Sequence, residues 1–562
     1  MTDKQKIVIY QVLTRVFGNR NLTRKENGSI AENGVGKMND FSPAVLKRIR
    51  DLGATHIWYT GVIRHATTTD YSQYGIPTQH TAIVKGKAGS PYAIADYYDI
   101  DPDIAENVDR RMEEWEHLID RTHRVGLKVI IDFVPNHVAR QYQSIAKPAH
   151  VRDLGENDDT AMNFSIRNNF YYCTGQPFAP RFSLKASNGQ SSYSEFPAKA
   201  TGNDFFGASP DVCDWYETVK LNYGIDYCDA AGRSCHFVPM PDTWRQMSDI
   251  LLFWAAKGVD GFRCDMAEMV PVDFWNYATD TVREKHPEIV FIGEVYDKNQ
   301  YRAYAANGFD YLYDKVGMYD CVRKIICGDA PASDITRQWQ AVDDILPRML
   351  YFLENHDEQR IASRFFCSSS RRAIPGLMVS ALLNTNPLMI YAGQEFGEPG
   401  MDHEGFSGTD GRTSIFDYWC VDTIRRGYFD RRELRKAERE LSVLYRQILT
   451  IARSSSAVTV GRFFDLMYAN PCSEHFDTAS LFAFVRCSSD ETLLVVVNFS
   501  DRSVDVRLNI PAHAFDCLQM AEGKRLAADL LTAERQSVDW KRNCRLPLTV
   551  NAYSGRIYRI EG

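Results

Sequence analysis

The sequence lacks four features, each of which would have indicated a particular class of protein. It has no apolar run long enough to span a bilayer, no cluster of basic residues, no CxxC pair, and no internal repeat or low-complexity tract. With a formal net charge of −8 and scattered lysines and arginines, it offers no electrostatic footprint for nucleic acid or for an anionic membrane. We therefore predict no nucleic-acid partner and no membrane partner.

Cysteine pairing and an export signal are missing as well. The 13 cysteines are spread without paired spacing, which predicts reduced thiols and argues against a disulfide framework or a zinc site. The apolar stretch at 7–10 is too short for the core of a signal peptide. This favours a cytoplasmic protein, and a secreted protein whose signal has been removed stays the alternative.

What the sequence does contain is an alternation of short apolar runs and amphipathic helical patterns. Amphipathic segments such as 44–52 and 106–125 separate successive apolar runs, as expected for parallel strands joined by crossover helices. Eight strand–helix units predict an α/β fold, a (β/α)₈ TIM barrel. The predicted strands lie at 7–11, 56–60, 129–132, 261–265, 290–294, 310–313, 349–353 and 387–391.

Two segments do not fit the barrel repeat. A connection at 138–240, which ends before a predicted helix at 244–257, is too long for a barrel loop and predicts an insert domain after the third strand. A helix predicted at 431–453 is followed by alternating strands, which predict a C-terminal antiparallel β-sandwich. We place the catalytic barrel at 1–137 and 241–454, the insert at 138–240 and the β-domain at 455–562, with strands at 480–486, 492–499, 503–508 and 552–560.

Four predicted barrel strands lead directly into carboxylates. These are Asp132, Asp265, Glu294 and, within ENHD at 354–357, Asp357. A TIM barrel carries its active site at the carboxyl ends of its strands. An ion-paired barrel mouth is the structural alternative, because ionised carboxylates are costly to bury. Four acids at equivalent strand ends favour a catalytic site.

The motifs around these acids resemble the α-amylase family of glycoside hydrolases and transglycosylases. DFVPNH at 132–137, GFRCD at 261–265, FIGEV at 291–295 and ENHD at 354–357 stand in the family's order, and the resemblance covers about the first 455 residues. Glycosidic cleavage with retention requires an acid that protonates the leaving oxygen and a carboxylate that traps the sugar. The resemblance implies Asp265 as the nucleophile, Glu294 as the general acid and base, and Asp357 as the third carboxylate.

The neighbours of the acids have predicted roles of their own. Arg263 precedes Asp265 by two residues, so on a strand both face the same side and the arginine can keep Asp265 ionised. The resemblance also implies that the other residues of the cleavage subsite bind the substrate. Two histidines would donate hydrogen bonds to sugar hydroxyls, and a tyrosine would stack on the reacting sugar. The predicted substrate-binding residues are Arg263, His137, His356, Tyr92 and Asp132.

A calcium ion is the one cofactor that the resemblance suggests. Asn136 matches an asparagine that in many relatives binds a structural calcium between the barrel and the insert. Calcium favours carbonyl and carboxylate oxygens, and Asp204, Asp211 and Asp214 are available in the insert. Their spacing forms no recognisable calcium loop, so the remaining ligands stay open.

Some residues near the motifs keep two interpretations. Glu268 and Met269 stand where the family often has Lys-His, and Glu268 either lines acceptor subsites or is a solvated charge. Cys264 should point away from Asp265 and be a small buried residue. The insert's aromatic residues are either sugar platforms or, as we favour, that insert's own core: Trp215, Tyr216, Phe205 and Phe206.

The predicted function is retaining hydrolysis of α-1,4-glucosidic bonds in starch-like glucans or malto-oligosaccharides through a covalent glycosyl-enzyme intermediate. One alternative is a transglycosylase of the same family, which passes the glycosyl group to another sugar; a second is an α-glucosidase. A non-catalytic glycan-binding relative is disfavoured, because such a chain would be expected to lose one or more of the three acids.

Overall fold

The computed structural model describes residues 5–187, 189–400, 406 and 408–562. Within this part of the chain, eight parallel strands close into a barrel, which confirms the predicted TIM-barrel fold. Each strand begins and ends within two residues of its predicted bounds. The barrel strands are β1 Val8–Leu13, β2 His56–Thr60, β3 Lys128–Phe133, β4 Gly261–Cys264, β5 Val290–Gly293, β6 Tyr311–Tyr313, β7 Met349–Phe352 and β8 Leu388–Tyr391.

Helices surround the barrel, and local signals set where they begin. Ser42 caps the first of them by accepting a hydrogen bond from Val45 N, and proline follows at the first helical position. The helix predicted from 431 begins only at Lys436, because residues 431–433 form a separate 3₁₀ turn. The barrel helices are α1 Pro43–Leu52, α2 Arg111–Arg124, α3 Asp242–Ala256, α4 Val272–Arg283, α5 Tyr301–Ala306, α6 Asp320–Cys327, α7 Asp334–Ala341, α8 Ile374–Leu382 and α9 Lys436–Ser454.

Side chains alternate between the two faces of the barrel wall. One set fills the interior, including Ile9, Trp58 and Ile130, and the intervening residues pack outward against the helices, including Tyr10 and Val129. This alternation follows from the two-residue period of a strand. Both faces are apolar because the helices cover the outside, so the strands appear in the sequence as continuous hydrophobic runs.

Short antiparallel ribbons build the long loops above the barrel mouth. The ribbon at the root of the insert joins His137–Ala139 to Thr218–Lys220, with His137 opposite Lys220 and Ala139 opposite Thr218. The connection after β3 therefore returns to its starting point before the chain enters α3. The other ribbons are Ile63–His65 with Ile94–Ile100, Tyr172–Cys173 with Ala198–Lys199, and Ile225–Asp226 with Ser234–Cys235.

The C-terminal region is antiparallel, as predicted. Its strands are β9 Arg462–Asp465, β10 Leu481–Cys487, β11 Thr492–Asn498, β12 Val504–Ile510, β13 Gly523–Asp529, β14 Arg535–Trp540, β15 Cys544–Val550 and β16 Ser554–Glu561. A six-stranded sheet has the order β9-β10-β11-β16-β13-β14, and β12 pairs with β15 in a second sheet. The four predicted strands are present, and four others were missed. One of the missed strands, β15, contains Pro547, and a proline in a sequence argues against a strand.

All thirteen cysteines are free thiols. Among the described residues, no helix combines the length and the apolar character that crossing a membrane requires.

Candidate active site

A cleft of about 370 Å³ opens at the carboxyl ends of the barrel strands. The three predicted catalytic acids, Asp265, Glu294 and Asp357, all line it, together with Tyr92 and His137. Asp265 and Glu294 follow the adjacent strands β4 and β5, whose parallel pairing places the two carboxylates side by side. Asp357 follows β7 and has 41% of its side chain exposed, so it faces the open part of the cleft.

A single guanidinium joins the two inner acids. Arg263 Nη1 lies 2.7 Å from Asp265 Oδ1, and Nη2 lies 2.7 Å from Glu294 Oε2. The sequence predicted a pair with Asp265 alone, and the structure adds Glu294 at the same distance. Burial raises the pKa of Asp265, Arg263 opposes this rise, and nearby Glu294 reinforces it. Neighbouring carboxylates thus add to the effect of burial on the pKa of Asp265, and Arg263 supplies the opposing charge that favours its ionised form.

Arg263 is held in place by aromatic rings. Its guanidinium carbon lies 5.3, 5.5 and 5.4 Å from the ring centres of Trp58, Tyr92 and Tyr313, and its side chain is 1% exposed. Cation–π contacts of this kind are strongest where water is excluded. The arginine is therefore a fixed positive charge below the catalytic acids, out of reach of solvent.

Asp132 lies below the cleft wall. It accepts hydrogen bonds from Trp58 Nε1 at 2.9 Å and from the Tyr92 hydroxyl at 3.3 Å, and it lies 3.4 Å from Arg263. Burial raises its pKa to about 7, against the lowering effect of Arg263. Asp132 therefore helps to position Tyr92 through its hydroxyl. Substrate binding by Asp132 and sugar stacking by Tyr92 stay predictions.

His356 is a neutral hydrogen-bonding group between Tyr92 and Asp357. Gln11 Nε2 donates to His356 Nδ1 at 2.8 Å, so the ring proton belongs on Nε2. That nitrogen faces the Tyr92 hydroxyl and lies 3.2 Å from Asp357 Oδ2. Burial lowers the pKa of His356 to about 3, so at neutral pH it orients its neighbours as an uncharged donor.

His137 lies at the entry to the insert. Its ring centre is 5.3 Å from that of Trp215, which also lines the cleft and whose backbone has a φ of +41°. Burial, with the nearby charge of Lys220, lowers the pKa of His137 to about 3. A bulky residue at positive φ is strained, and such strain is often found at binding sites. Trp215 is thus a cleft residue, whereas Tyr216 packs inside the insert, as predicted for the group.

The sequence that carries this site matches a known protein family. Residues 31–442 match the family described as alpha amylase, catalytic domain. The chain belongs to the alpha-amylase family. This match covers most of the chain, including all four strand-end acids, and it makes the protein a glycosidase of that family.

Individual relatives of this alpha-amylase family member are distant. Neopullulanase 2 of Thermoactinomyces vulgaris is 23% identical over 98% of this chain and 77% of its own length. Alpha-amylase 3 of Dictyoglomus thermophilum is 25% identical over 59% of each chain. The crystal structure of the maltogenic alpha-amylase AmyB from Thermotoga neapolitana superposes with a TM-score of 0.62 at 18% identity and covers all of both chains. At this identity, the structural likeness supports the fold alone.

Tyr296 is a site residue of this family member that the sequence analysis missed. Its hydroxyl donates to Glu294 Oε1 at 2.7 Å, and the backbone N–H of Met266 donates to Glu294 Oε2 at 2.8 Å. With Arg263, these contacts fix both oxygens of the acid. The signal was present in the sequence, because Tyr296 follows Glu294 by two residues, directly after the FIGEV motif.

We expect Tyr296→Phe to lower kcat on an unactivated glucan by about tenfold, since a hydrogen bond to a charged group contributes about 1.5–3 kcal/mol. Hydrolysis of α-glucosyl fluoride, whose leaving group needs little protonation, should change far less. Measuring kcat on both substrates separates loss of acid orientation from loss of binding. An equal fall on both substrates would mean that Tyr296 has no special link to the proton donor.

A buried ion pair crosses the cleft wall and was also missed. Lys85 of the second loop lies 2.7 Å from Glu217 of the insert, with side chains 14% and 5% exposed, and both residues line the cleft. Glu217 Oε2 has no hydrogen-bond partner among the described residues. No periodic pattern links these two positions in the sequence, because the path of two loops brings them together. The pair therefore joins the second loop to the insert at the cleft wall.

Glu268 is held by hydrogen bonds, which contradicts its interpretation as a solvated charge, whereas a place at the acceptor subsites stays a prediction. Its Oε2 accepts hydrogen bonds from the backbone N–H groups of Tyr296 and Asp297, each at 2.9 Å. It therefore supports the loop that carries Tyr296 and is not a free solvated charge. Cys264 is fully buried, as predicted from the strand alternation.

The oxygen atoms predicted for calcium do not fit that ion. Asn136 Oδ1 accepts a hydrogen bond from Lys220 Nζ, and the same ammonium lies 2.7 Å from Asp204 Oδ1. Asp214 instead accepts hydrogen bonds from the backbone N–H of Asp211 and from a nearby asparagine amide. In the described ranges, no three His, Cys, Asp or Glu side chains converge on one point as a metal site would require. The prediction of a calcium held by Asn136 is therefore corrected, because a lysine ammonium takes its oxygen.

Proposed function

We propose that this alpha-amylase family enzyme hydrolyses α-1,4-glucosidic bonds of malto-oligosaccharides and related glucans with retention of configuration. The observation that carries the proposal is the position of Arg263, which binds Asp265 and Glu294 together at the base of the cleft, with Asp357 exposed beside them. The relatives named as neopullulanase, alpha-amylase and cyclomaltodextrinase support a glucan substrate.

The first step breaks the glycosidic bond. Glu294, oriented by Tyr296 and the Met266 N–H, transfers its proton to the glycosidic oxygen, and the leaving sugar departs as an alcohol. Asp265 attacks the anomeric carbon from the opposite face through an oxocarbenium-like transition state and forms a glycosyl ester. Asp357 binds sugar hydroxyls at this stage and stabilises the distorted ring.

The second step releases the sugar. Glu294, now ionised, removes a proton from water, and the water oxygen attacks the anomeric carbon as the bond to Asp265 breaks. Two inversions give net retention, and both acids return to their starting protonation states. The fixed charge of Arg263 serves both carboxylates in turn, since Asp265 is ionised before the first step and Glu294 before the second.

Product analysis with maltoheptaose tests the proposal. We expect only shorter malto-oligosaccharides, with the α-anomer formed first in ¹H NMR spectra taken within seconds of mixing. Oligomers longer than the substrate would assign the enzyme to the transglycosylases instead. A first-formed β-anomer would overturn the retaining mechanism. Parallel digestions of cyclodextrin, pullulan, maltose and trehalose identify the linkage and length preference.

Glu217 is expected to contribute to substrate binding. Because Glu217 lines the cleft and is held there by Lys85, Glu217→Ala should raise KM for maltoheptaose about fivefold, the value of one ordinary hydrogen bond of about 1 kcal/mol, with little change in kcat. Lys85→Met should have a similar effect by releasing Glu217. Lys87→Met, on the same loop but outside the cleft lining, is the matched control. Unchanged KM in both cleft variants would exclude a sugar contact here.

A further inference from the structure

Three buried oxygens from three separate segments converge on one lysine at the root of the insert. Lys220 is 2% exposed. Its ammonium contacts Asn136 Oδ1 beyond β3, the Met269 carbonyl oxygen beyond β4 at 3.2 Å, and Asp204 Oδ1 in the insert at 2.7 Å. A lysine ammonium has three N–H donors and no acceptor; here it donates to the amide and carbonyl oxygens and forms an ion pair with Asp204.

We propose that the Lys220 ammonium is a built-in cation that ties the insert to the barrel, and that this enzyme holds the junction together without calcium. A side-chain amide, a backbone carbonyl and a carboxylate are the oxygen types that calcium takes in proteins. Here they surround a covalently attached positive charge. A divalent ion at the same point would meet both the volume and the like charge of the lysine.

The composition of the junction supports a monovalent occupant. Calcium takes six to eight oxygen ligands, commonly with several carboxylates, and Asp204 is the one carboxylate that Lys220 contacts at this point among the described residues. Asp214 is already used by the backbone of Asp211 within a turn of the insert. A single carboxylate balances one ammonium charge, so a divalent ion could bind here only with the ammonium removed, and then weakly, at about millimolar concentration, with water molecules as its further ligands.

The contacts of Lys220 also extend to the cleft through His137. Lys220 is the ribbon partner of His137, and Asn136 Nδ2 lies 3.1 Å from His137 Nδ1 and donates to the Gly202 carbonyl at 2.7 Å. Asn136 therefore contacts the lysine through one atom of its amide and the cleft histidine through the other. Lys220 is a positioning residue: it acts on the substrate through His137 and the strand that carries it.

Thermal unfolding of the full-length enzyme tests the proposal without substrate, so its outcome is independent of the proposed hydrolysis. The midpoint of the wild-type enzyme should change by less than about 1 °C on adding EDTA or millimolar CaCl₂, because an ion that does not bind the native state cannot stabilise it. A wild-type midpoint that falls in EDTA and recovers with CaCl₂ would overturn the proposal. This measurement uses the wild-type enzyme only, so it does not depend on whether a variant folds.

The variant Lys220→Ala provides the second arm. Removing one partner of a buried ion pair should lower the midpoint by roughly 5 °C or more, and CaCl₂ should recover part of this loss by occupying the vacated oxygens. Calorimetric titration with CaCl₂ should show binding to this variant and none to wild type. Recovery of KM for maltoheptaose with CaCl₂, more than of kcat, would confirm the positioning of His137.

Two controls make the result specific. Lys199→Ala removes another lysine of the insert, one that lies 5.4 Å from the Phe170 ring, and it should gain no calcium response. Lys220→Met keeps the volume but removes the charge, and it should lose stability that calcium does not recover. A Lys220→Ala variant that is as stable as wild type, or that is destabilised without binding calcium, would reduce Lys220 to an ordinary ion-pair partner and overturn the proposal.

Discussion

Asp265→Asn is expected to lower kcat on maltoheptaose by about 10⁴-fold or more, the scale of loss found when a covalent nucleophile is removed. The amide has the shape of the carboxylate but cannot form the glycosyl ester. It also leaves the buried Arg263 with Glu294 as its nearest remaining carboxylate. Steady-state kinetics with a sensitive reducing-sugar assay measures the residual rate.

Added azide should distinguish a missing nucleophile from a misfolded site. In Asp265→Ala, which removes the whole carboxyl group, a small external anion can enter the vacated space and attack the same face, which restores part of the rate on α-glucosyl fluoride and gives a β-glycosyl azide. Asp260→Asn, at the amino end of the same strand and bound to His123, is the matched control and should keep near wild-type activity. An Asp265→Asn enzyme within tenfold of wild type would remove Asp265 from the mechanism.

Glu294→Gln should lose about 10²–10⁴-fold in kcat on unactivated glucans, the usual contribution of a general acid. The glutamine keeps the size of the side chain and can still meet Tyr296 and Arg263, but it has no proton to transfer to the leaving oxygen. On α-glucosyl fluoride the first step should be nearly normal, because fluoride leaves without protonation.

The comparison of these two substrates decides the role of Glu294. With the fluoride, the variant should accumulate glycosyl-enzyme, because water attack lacks its base, and the adduct adds one hexosyl mass to the intact protein in mass spectrometry. Glu288→Gln, an exposed acid just before β5, serves as the control. Equal losses on both substrates with no adduct would contradict an acid–base role.

The barrel and its acids could be predicted from the sequence because both follow local rules. A parallel strand buried on both faces leaves a short apolar run, and the acids occupy the residues where such runs end. Arg263 and Asp265 share a face because strand side chains alternate. The same alternation places Cys264 in the wall, away from the cleft.

Contacts between loops could not be predicted in this way. The pair Lys85–Glu217 and the contacts of Lys220 depend on the path of two long connections, which no periodicity encodes. Calcium was predicted because Asn136 stands in a recognisable motif. Lys220, which donates a hydrogen bond to the Asn136 side-chain oxygen, lies far away in the sequence, in the insert. Trp215 was predicted to lie in the insert's core together with its neighbour Tyr216. The sequence does not reveal that Trp215 has a positive φ and lines the cleft, whereas Tyr216 packs inside the insert.

The ribbon at the root of the insert also sets the insert apart from the strands that carry the acids. Ala139 and Thr218 are direct partners, so the chain leaves the barrel mouth and returns to it at neighbouring points. Residues 140–217 are a closed excursion that can be exchanged as a cassette while its ends stay fixed. Such an exchange would replace the wall that carries Trp215 and Glu217 and leave the catalytic acids on their strands. We therefore expect changes within residues 140–217 to alter substrate binding more than the bond-breaking step.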